Sequence, residues 1–364
     1  MTDSARLGAA FFDMPQGAYL DTASIGLVPS AVPGAVADCY DALGRGIHGM
    51  QATRSVVDKT RELIAEELGV GPADVSFFSS TGEAMNALAR SITWRPDDQV
   101  VVIDDDFPTV RLPWTRIQGV EVVTVTPGSN DERTGAILEA INQRTRVVAV
   151  SHVHSQTGTV VDLPALQYAC RSVGAFLVCD GAQGAGVLLA PALGADFYIT
   201  TGYKWLLAGF GIAVMVASQD QRYALEPGLI GHANEPPSHD LTVGTPNLAG
   251  IYALGAAARV RKQIGWEAIQ HRILVHADRV RAGCDELGLA TVPACAAIAG
   301  IVSFRPHEPA ETVAGALRDL NVTVAHRGDY VRISPHFYTS DTEIELLLRS
   351  LVRQGPSATR KATR

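Results

Sequence analysis

Lys204 sits between Tyr203 and the apolar run Trp205, Leu206 and Leu207, a poor setting for a solvated ammonium. A lysine held out of water has a lowered pKa and serves as a nucleophile toward carbonyl groups. Upstream, Asp180 closes the apolar run AFLVC and is followed by Gly181, Ala182 and Gln183. Taken singly these are a strand-end acid and a surface lysine. Taken together they suit a carbonyl cofactor, and pyridoxal phosphate makes three demands: a carboxylate at its ring nitrogen, a cradle for its phosphate and a flat partner for its face. Asp180 answers the first. For the second, SSTGEAMNALAR begins with small hydroxyl residues and glycine directly after an apolar strand and continues as a helix, so Thr81 and Gly82 would offer amides at a helix N-terminus. The plainer reading of that segment is an ordinary N-cap with Glu83 in the first turn.

The elements that must position these residues are short β-branched runs alternating with helical stretches. Strands are expected at 75–78, 100–103, 122–125, 147–150, 176–178, 197–200 and 212–217. This pattern implies an α/β fold with a mostly parallel sheet covered on both faces. After GTPN at 244–247 comes a helix-like stretch from about 250 to 288, then shorter strands at 301–304 and 330–334 and an amphipathic helical finish. The expected organisation is a segment 1–20 packed on a small domain or a partner, a large domain 21–250, a small α+β domain 251–355 and a disordered tail 356–364. In such sheets ligands bind outside the carboxyl ends of the strands. Those ends read SSTGE, DDDFPT, SHVHSQTG, DGAQG and TGYKW.

Composition narrows the classes. The 364 residues carry 30 Lys+Arg against 38 Asp+Glu, with no long basic run, so nothing points to nucleic acid. No run of about 18 apolar residues suggests a membrane span, and no leader pattern opens the chain, so a cytoplasmic location is expected. The five cysteines, Cys39, Cys170, Cys179, Cys284 and Cys295, are scattered without metal-ligand spacing and read as reduced thiols, mostly in the core. No metal is expected: His152 and His154 lack companion ligands. DDDFPT has Pro108 where a haloacid-dehalogenase-type loop needs Thr or Val, and DGAQGAG does not give the dinucleotide fingerprint.

SSTGEAMN, DDDFPTVRLPW, SHVHSQTG, DGAQG, TGYKW, GTPN and RISPHFYTSDTEI occur in the order seen in class V aminotransferase-like enzymes. The resemblance spans about Tyr19 to Glu343. That family has the fold type I architecture of pyridoxal-phosphate enzymes, which makes the mostly parallel sheet mixed and seven-stranded, and includes cysteine desulfurases, kynureninases and isopenicillin N epimerase-like proteins. The resemblance implies that Lys204 forms the internal aldimine, that Asp180 pairs with the ring nitrogen and that Gln183 donates toward the phenolic oxygen, with Ser155 nearby. Phe107 would stack on the ring. Thr81, Gly82, Thr201 and Tyr203 would hold the phosphate, and Thr245 would reach the phosphate of a neighbouring subunit, making a homodimer. Arg332 would bind the substrate α-carboxylate, with Ala23, Ser24 and His48 approaching the substrate and Tyr19 and Arg54 in segments near it.

The chain departs from the best-known branches. Cysteine desulfurases carry a nucleophilic cysteine shortly before the carboxylate-binding arginine; the matching stretch NVTVAHRGDYVR has none. Val110 stands where kynureninase-like members follow FPT with an aspartate, and Ser155 where desulfurases have an asparagine. The expected activity is that of an amino-acid aminotransferase working through a quinonoid. A cysteine-type C–S β-lyase or an epimerase is the alternative, and a pyridoxal-fold binding subunit without catalysis the remote one. His326 and Arg327 are expected to read the substrate side chain.

Overall fold

In the computed structural model, which describes residues 8–235, 238–292 and 299–354, seven strands form the main sheet. They are β2 (Val75–Phe78), β3 (Gln99–Ile103), β4 (Glu121–Val125), β5 (Thr145–Ser151), β6 (Phe176–Asp180), β7 (Phe197–Thr201) and β8 (Ala213–Val216). Their order is β2-β8-β7-β6-β5-β3-β4, and β8 runs antiparallel to both its neighbours while the other pairs are parallel. All strands but β8 therefore end on one edge.

The sheet is central because its strands are apolar on both sides. On β3, Val101 and Ile103 join one buried cluster and Val100 and Val102 the other, the period-two alternation of a strand covered on both faces. The covering helices include α1 (Ala31–Leu43), α2 (Ile47–Leu68), α3 (Thr81–Ser91), the short α4 (Pro108–Arg111), α5 (Arg133–Ala140), α6 (Leu163–Val173) and α7 (Gln219–Tyr223).

The expected helix over 250–288 is two helices, α8 (Leu248–Ile264) and α9 (Trp266–Glu286). Gly265, at φ +96°, lies in a region few other residues tolerate and breaks them apart. α8 packs against α1 and α2, so the layer that covers the main sheet continues past residue 250. Within α8, Arg261 is fully buried, pairs with Glu67 and donates to the Leu206 carbonyl two residues beyond Lys204. Breaking a buried pair of this kind typically costs about 3–5 kcal/mol. The lysine turn is thus tied to the helical layer.

The smaller C-terminal domain holds a four-stranded antiparallel sheet in the order β12 (Ala325–Arg327), β13 (Tyr330–Ile333), β10 (Val302–Phe304), β9 (Thr291–Val292). α10 (Ala310–Asp319) and α11 (Asp341–Gln354) complete it around a core that includes Leu20, Phe304, Leu317, Ile333 and Leu347. Near the amino end, β1 (Ala18–Tyr19) pairs in parallel with β11 (Val322–Thr323). Cys39, Cys170, Cys179 and Cys284 are free thiols in the interior. Cys295 and the tail 356–364 lie outside the described residues. Among the described residues no helix is long and apolar enough to cross a membrane.

Candidate active site

Five strands of the main sheet deliver chemistry to their shared carboxyl edge, where a cavity of about 610 Å³ opens toward the C-terminal domain. Lys204 reaches it from the turn after β7, at 8% exposure. That turn is strained: Leu207 takes φ +58°, a conformation costly for a branched residue, while its amide bonds the Lys204 carbonyl. From the other side the loop 21–26 presses on it, with Gly26 N donating to Tyr203 O at 2.9 Å. A side chain at Gly26 would meet the Lys204 carbonyl at 2.1 Å, so only glycine fits that approach.

The amine of Lys204 has no hydrogen-bond partner among the described residues and stands 5.5 Å from the Phe107 ring centroid and 5.7 Å from that of Tyr203. Burial lowers its pKa to about 8, with Arg332 and Arg327 adding to the shift and Asp180 opposing it. Asp180, at the end of β6, accepts from Ala182 N at 2.8 Å. Burial pushes its carboxyl up to about 6 against the opposing pull of Lys204. At neutral pH the pair is thus an ionised acid facing an amine that is part neutral.

An amine must be neutral to attack a carbonyl, and the neutral fraction grows about tenfold per pH unit below the pKa. Capture of an added aromatic aldehyde by the cofactor-free chain, trapped with borohydride, is therefore expected to speed up from pH 6 and level off above about pH 8. A rate that does not change between pH 6 and 9 would contradict this account of Lys204.

Phe107 is the N-cap residue of α4, four residues past β3, is 44% exposed and lines the cavity. The three aspartates before it each have a structural partner. Asp104 accepts from Thr126 Oγ1 at 2.7 Å, Asp105 is gripped by the buried Arg133 at 2.6 and 3.0 Å, and Asp106 accepts from Ser151 N and Phe107 N at 2.8 and 2.7 Å. These bonds fix the Phe107 backbone.

Gln183 donates to Ala23 O at 3.0 Å and accepts from Trp205 Nε1 at 2.6 Å, tying the β6 loop to the lysine turn. Trp205 in turn stacks on His336, which burial holds neutral with a pKa of about 3. His152 bonds Tyr198 Oη at 3.1 Å, and burial lowers it to about 4. His154 bonds Thr157 at 2.8 Å, and burial, with Arg133, lowers it as well. Among the described residues no three or more His, Cys, Asp or Glu side chains gather as a metal-ligand set.

Arg332 enters from the middle of β13, paired in register with Ser303 and Ala325. Its guanidinium donates to Ser155 O at 2.7 Å, Ser24 Oγ at 2.6 Å and Asp21 at 3.2 Å, while its buried Nε has no partner. Burial lowers its pKa to about 10, so it stays cationic at neutral pH.

Of the residues that the sequence assigns to cofactor or α-carboxylate, Phe107, Ser155, Gln183, Tyr203, Lys204 and Arg332 line the cavity, with Ala23 and Ser24 beside them. Asp180 lies behind them, and Thr201 is buried at the end of β7. Thr81 and Gly82 open α3 on the same sheet edge, half-buried, after Ser80, whose side chain caps Glu83 N. Others are not brought in. His48 and Arg54 are exposed on α2 and Thr245 is exposed on the loop before α8, all outside the cavity of their own chain. Tyr19 turns its hydroxyl to Ile25 O at 2.7 Å. Of the pair expected to read the side chain, Arg327 lines the cavity and His326 does not. Arg111 and Phe210, which sequence reasoning missed, also line it. Arg111 stands one helical turn after Phe107, a spacing that could have revealed it, whereas Phe210, stacked on Tyr203 at 4.6 Å, had no such signal.

The family model described as Aminotransferase class-V matches residues 18–347. Among curated proteins, the chain is 29% identical to a probable cysteine desulfurase of Methanothermobacter thermautotrophicus, over 92% of this chain and 93% of that one. It is 30% identical to an isopenicillin N epimerase of Amycolatopsis lactamdurans, over 80% and 83%. Among solved structures, the apo cysteine desulfurase of Thermococcus onnurineus NA1 superposes with a TM-score of 0.83 at 25% identity, covering 93% of this chain and 95% of that one.

Proposed function

The chain belongs to the aminotransferase class-V family, pyridoxal-phosphate enzymes of fold type I, and on that footing we propose that it is an amino-acid aminotransferase. The observation that supports an amino-acid site is a single one: a buried amine without an acceptor among the described residues, Lys204, shares a cavity with an exposed aromatic ring and a buried guanidinium whose Nε has no partner; the choice of aminotransfer rests on the family and on the missing loop cysteine.

The residues present fit pyridoxal phosphate. Lys204 Nζ would be the attachment point and Phe107 would offer its ring face, Asp180 has an oxygen without a donor among the described residues, and α3 opens with helix N-terminal amides at Thr81 and Gly82. Thr201 and Tyr203 would add phosphate contacts from the lysine side. Thr245, exposed outside its own cavity, is assigned to the phosphate in a second copy, which makes the working unit a homodimer.

When bound, the cofactor supplies a conjugated electron sink that acidifies the Cα–H of an attached amino acid. The chain's own residues do the rest. Arg332 would hold the α-carboxylate through charge-assisted bonds and so fix which bond at Cα faces Lys204. Lys204 Nζ, part neutral near neutral pH, would take the α-proton and return it as an ammonium. Asp180, ionised above about pH 6, would keep a proton on the ring nitrogen.

A C–S β-lyase is the second reading, supported by relatives named cysteine desulfurase. What counts against a desulfurase of the usual kind is the stretch NVTVAHRGDYVR, which has no cysteine, and a cavity lining without one among the described residues; direct β-elimination needs no such thiol. Incubation of the cofactor-loaded protein with an amino acid and a 2-oxo acid is expected to yield the exchanged amino and oxo acids. Pyruvate and sulfide from L-cysteine, with no amino exchange for any donor, would reverse the order of the two readings.

A further inference from the structure

We propose that Arg327, together with Ser24, forms a second anion subsite in the cavity, and that the amino acid taken by this enzyme carries a side-chain carboxylate. The inference rests on the reading of Lys204 and Arg332 as the amino-acid site and names the class of substrate that site takes.

The charges around the cavity are unbalanced. Asp21 is committed to Arg332, Asp105 to Arg133, and Asp106 to Ser151 and the Phe107 amide. Asp180 faces Lys204. No carboxylate among the described residues pairs with Arg327, whose guanidinium donates to its neighbour's carbonyl, His326 O, and to Ser24 Oγ, both at 2.8 Å. Arg111 adds a further cation at the rim, its Nε held by the Asp106 carbonyl at 2.8 Å.

Ser24 Oγ marks the place. It accepts from Arg332 at 2.6 Å and from Arg327 at 2.8 Å, so two guanidinium groups converge on one neutral oxygen. Like charges brought that close repel, and Arg327 indeed lowers the pKa of both Arg332 and Lys204. A substrate with two carboxylates relieves both: the α-carboxylate on Arg332, the second on Arg327, whose planar fork suits a carboxylate.

The fold holds Arg327 there. It is the last residue of β12, paired with Tyr330 across a two-residue turn, and Gly328 at φ +53° is the first residue of that turn. Gln156 Nε2 donates to the Arg327 carbonyl at 2.7 Å, fastening the hairpin tip to the large domain beside the cavity. Turn and anchor set the Arg327 backbone beside the cavity, and its exposed side chain folds back onto Ser24 Oγ.

The test has two arms on the cofactor-loaded protein. In the first, kcat/KM is measured for L-glutamate, L-aspartate and L-alanine in the wild type and in Arg327→Gln. The acidic amino acids are expected to be preferred, and the substitution is expected to cut the ratio of acidic to alanine kcat/KM by at least about 30-fold, with Arg327→Lys recovering part of it. In the second, succinate and glutarate binding is followed by calorimetry against acetate, which needs no turnover. The dicarboxylates should bind more tightly than acetate and lose that advantage in Arg327→Gln. An unchanged ratio or unchanged dicarboxylate binding in the variant would overturn the subsite. Failure of the aminotransferase reading would show differently, as no amino exchange with any donor while dicarboxylate binding still depends on Arg327.

Discussion

Replacing Lys204 with alanine is expected to lower turnover by at least about 10³-fold and to leave pyridoxal phosphate bound only through its noncovalent contacts. The magnitude follows because one amine serves as both attachment point and proton carrier, and proton transfer by a positioned group alone is worth about 10²–10⁴. Its surroundings leave no substitute. The charged groups that act on it are the Arg332 and Arg327 guanidiniums and the Asp180 carboxylate, which is proposed for the ring nitrogen. His152 and His154 are engaged with Tyr198 and Thr157. The fold itself should tolerate the change, because the turn is held by Arg261 on Leu206 O and by Trp205 on Gln183 rather than by the lysine side chain. Turnover is the quantity to compare; a variant retaining a tenth of wild-type kcat would refute the assignment.

Arg332→Ala is expected to be the second most damaging change at the site. Truncating one partner of a buried charge pair costs about 2–5 kcal/mol, or roughly 30- to several-thousand-fold in kcat/KM. The loss should fall mainly on KM, since the α-carboxylate is bound before and during reaction. Arg332→Lys should recover little, because a point charge cannot reach Ser155 O, Ser24 Oγ and a carboxylate together. Cofactor loading serves as the control: intact visible absorbance with a collapsed kcat/KM places the defect at the substrate. A change under about threefold in kcat/KM for every amino acid would remove Arg332 from the site.

Lys204, Asp180 and Phe107 were legible in the sequence because each follows directly on an apolar β-run, and a parallel sheet gathers such ends on one edge. Arg332 was legible for a different reason, as a guanidinium inside a β-run. What failed to come through follows equally physical lines. Neighbours on a strand face opposite ways, so His326 and Arg327 on β12 could not both enter one cavity, and only Arg327 does. His48 and Arg54 lie exposed on α2, outside the cavity of their own chain, because a residue's place in the order of motifs does not report which face of a helix it takes. The run Asp104, Asp105 and Asp106 drew attention as chemistry, yet each side chain is spent on a different structural partner. The break at Gly265 was hidden by apolar periodicity that continues on both sides of it. The link from Arg261 to the lysine turn was invisible too, since a buried arginine in an Ala-rich helix has no local signature.

The most direct test of the central claim exploits the scarcity of lysine. The chain has only Lys59, Lys204, Lys262 and Lys361, and Lys262 is tied to Glu66 on the surface. Borohydride reduction of the cofactor-loaded protein followed by peptide mass mapping should find the pyridoxyl group on the peptide containing Lys204 and on no other. Label on Lys59, Lys262 or Lys361 in its place, or no label at all, would contradict the account.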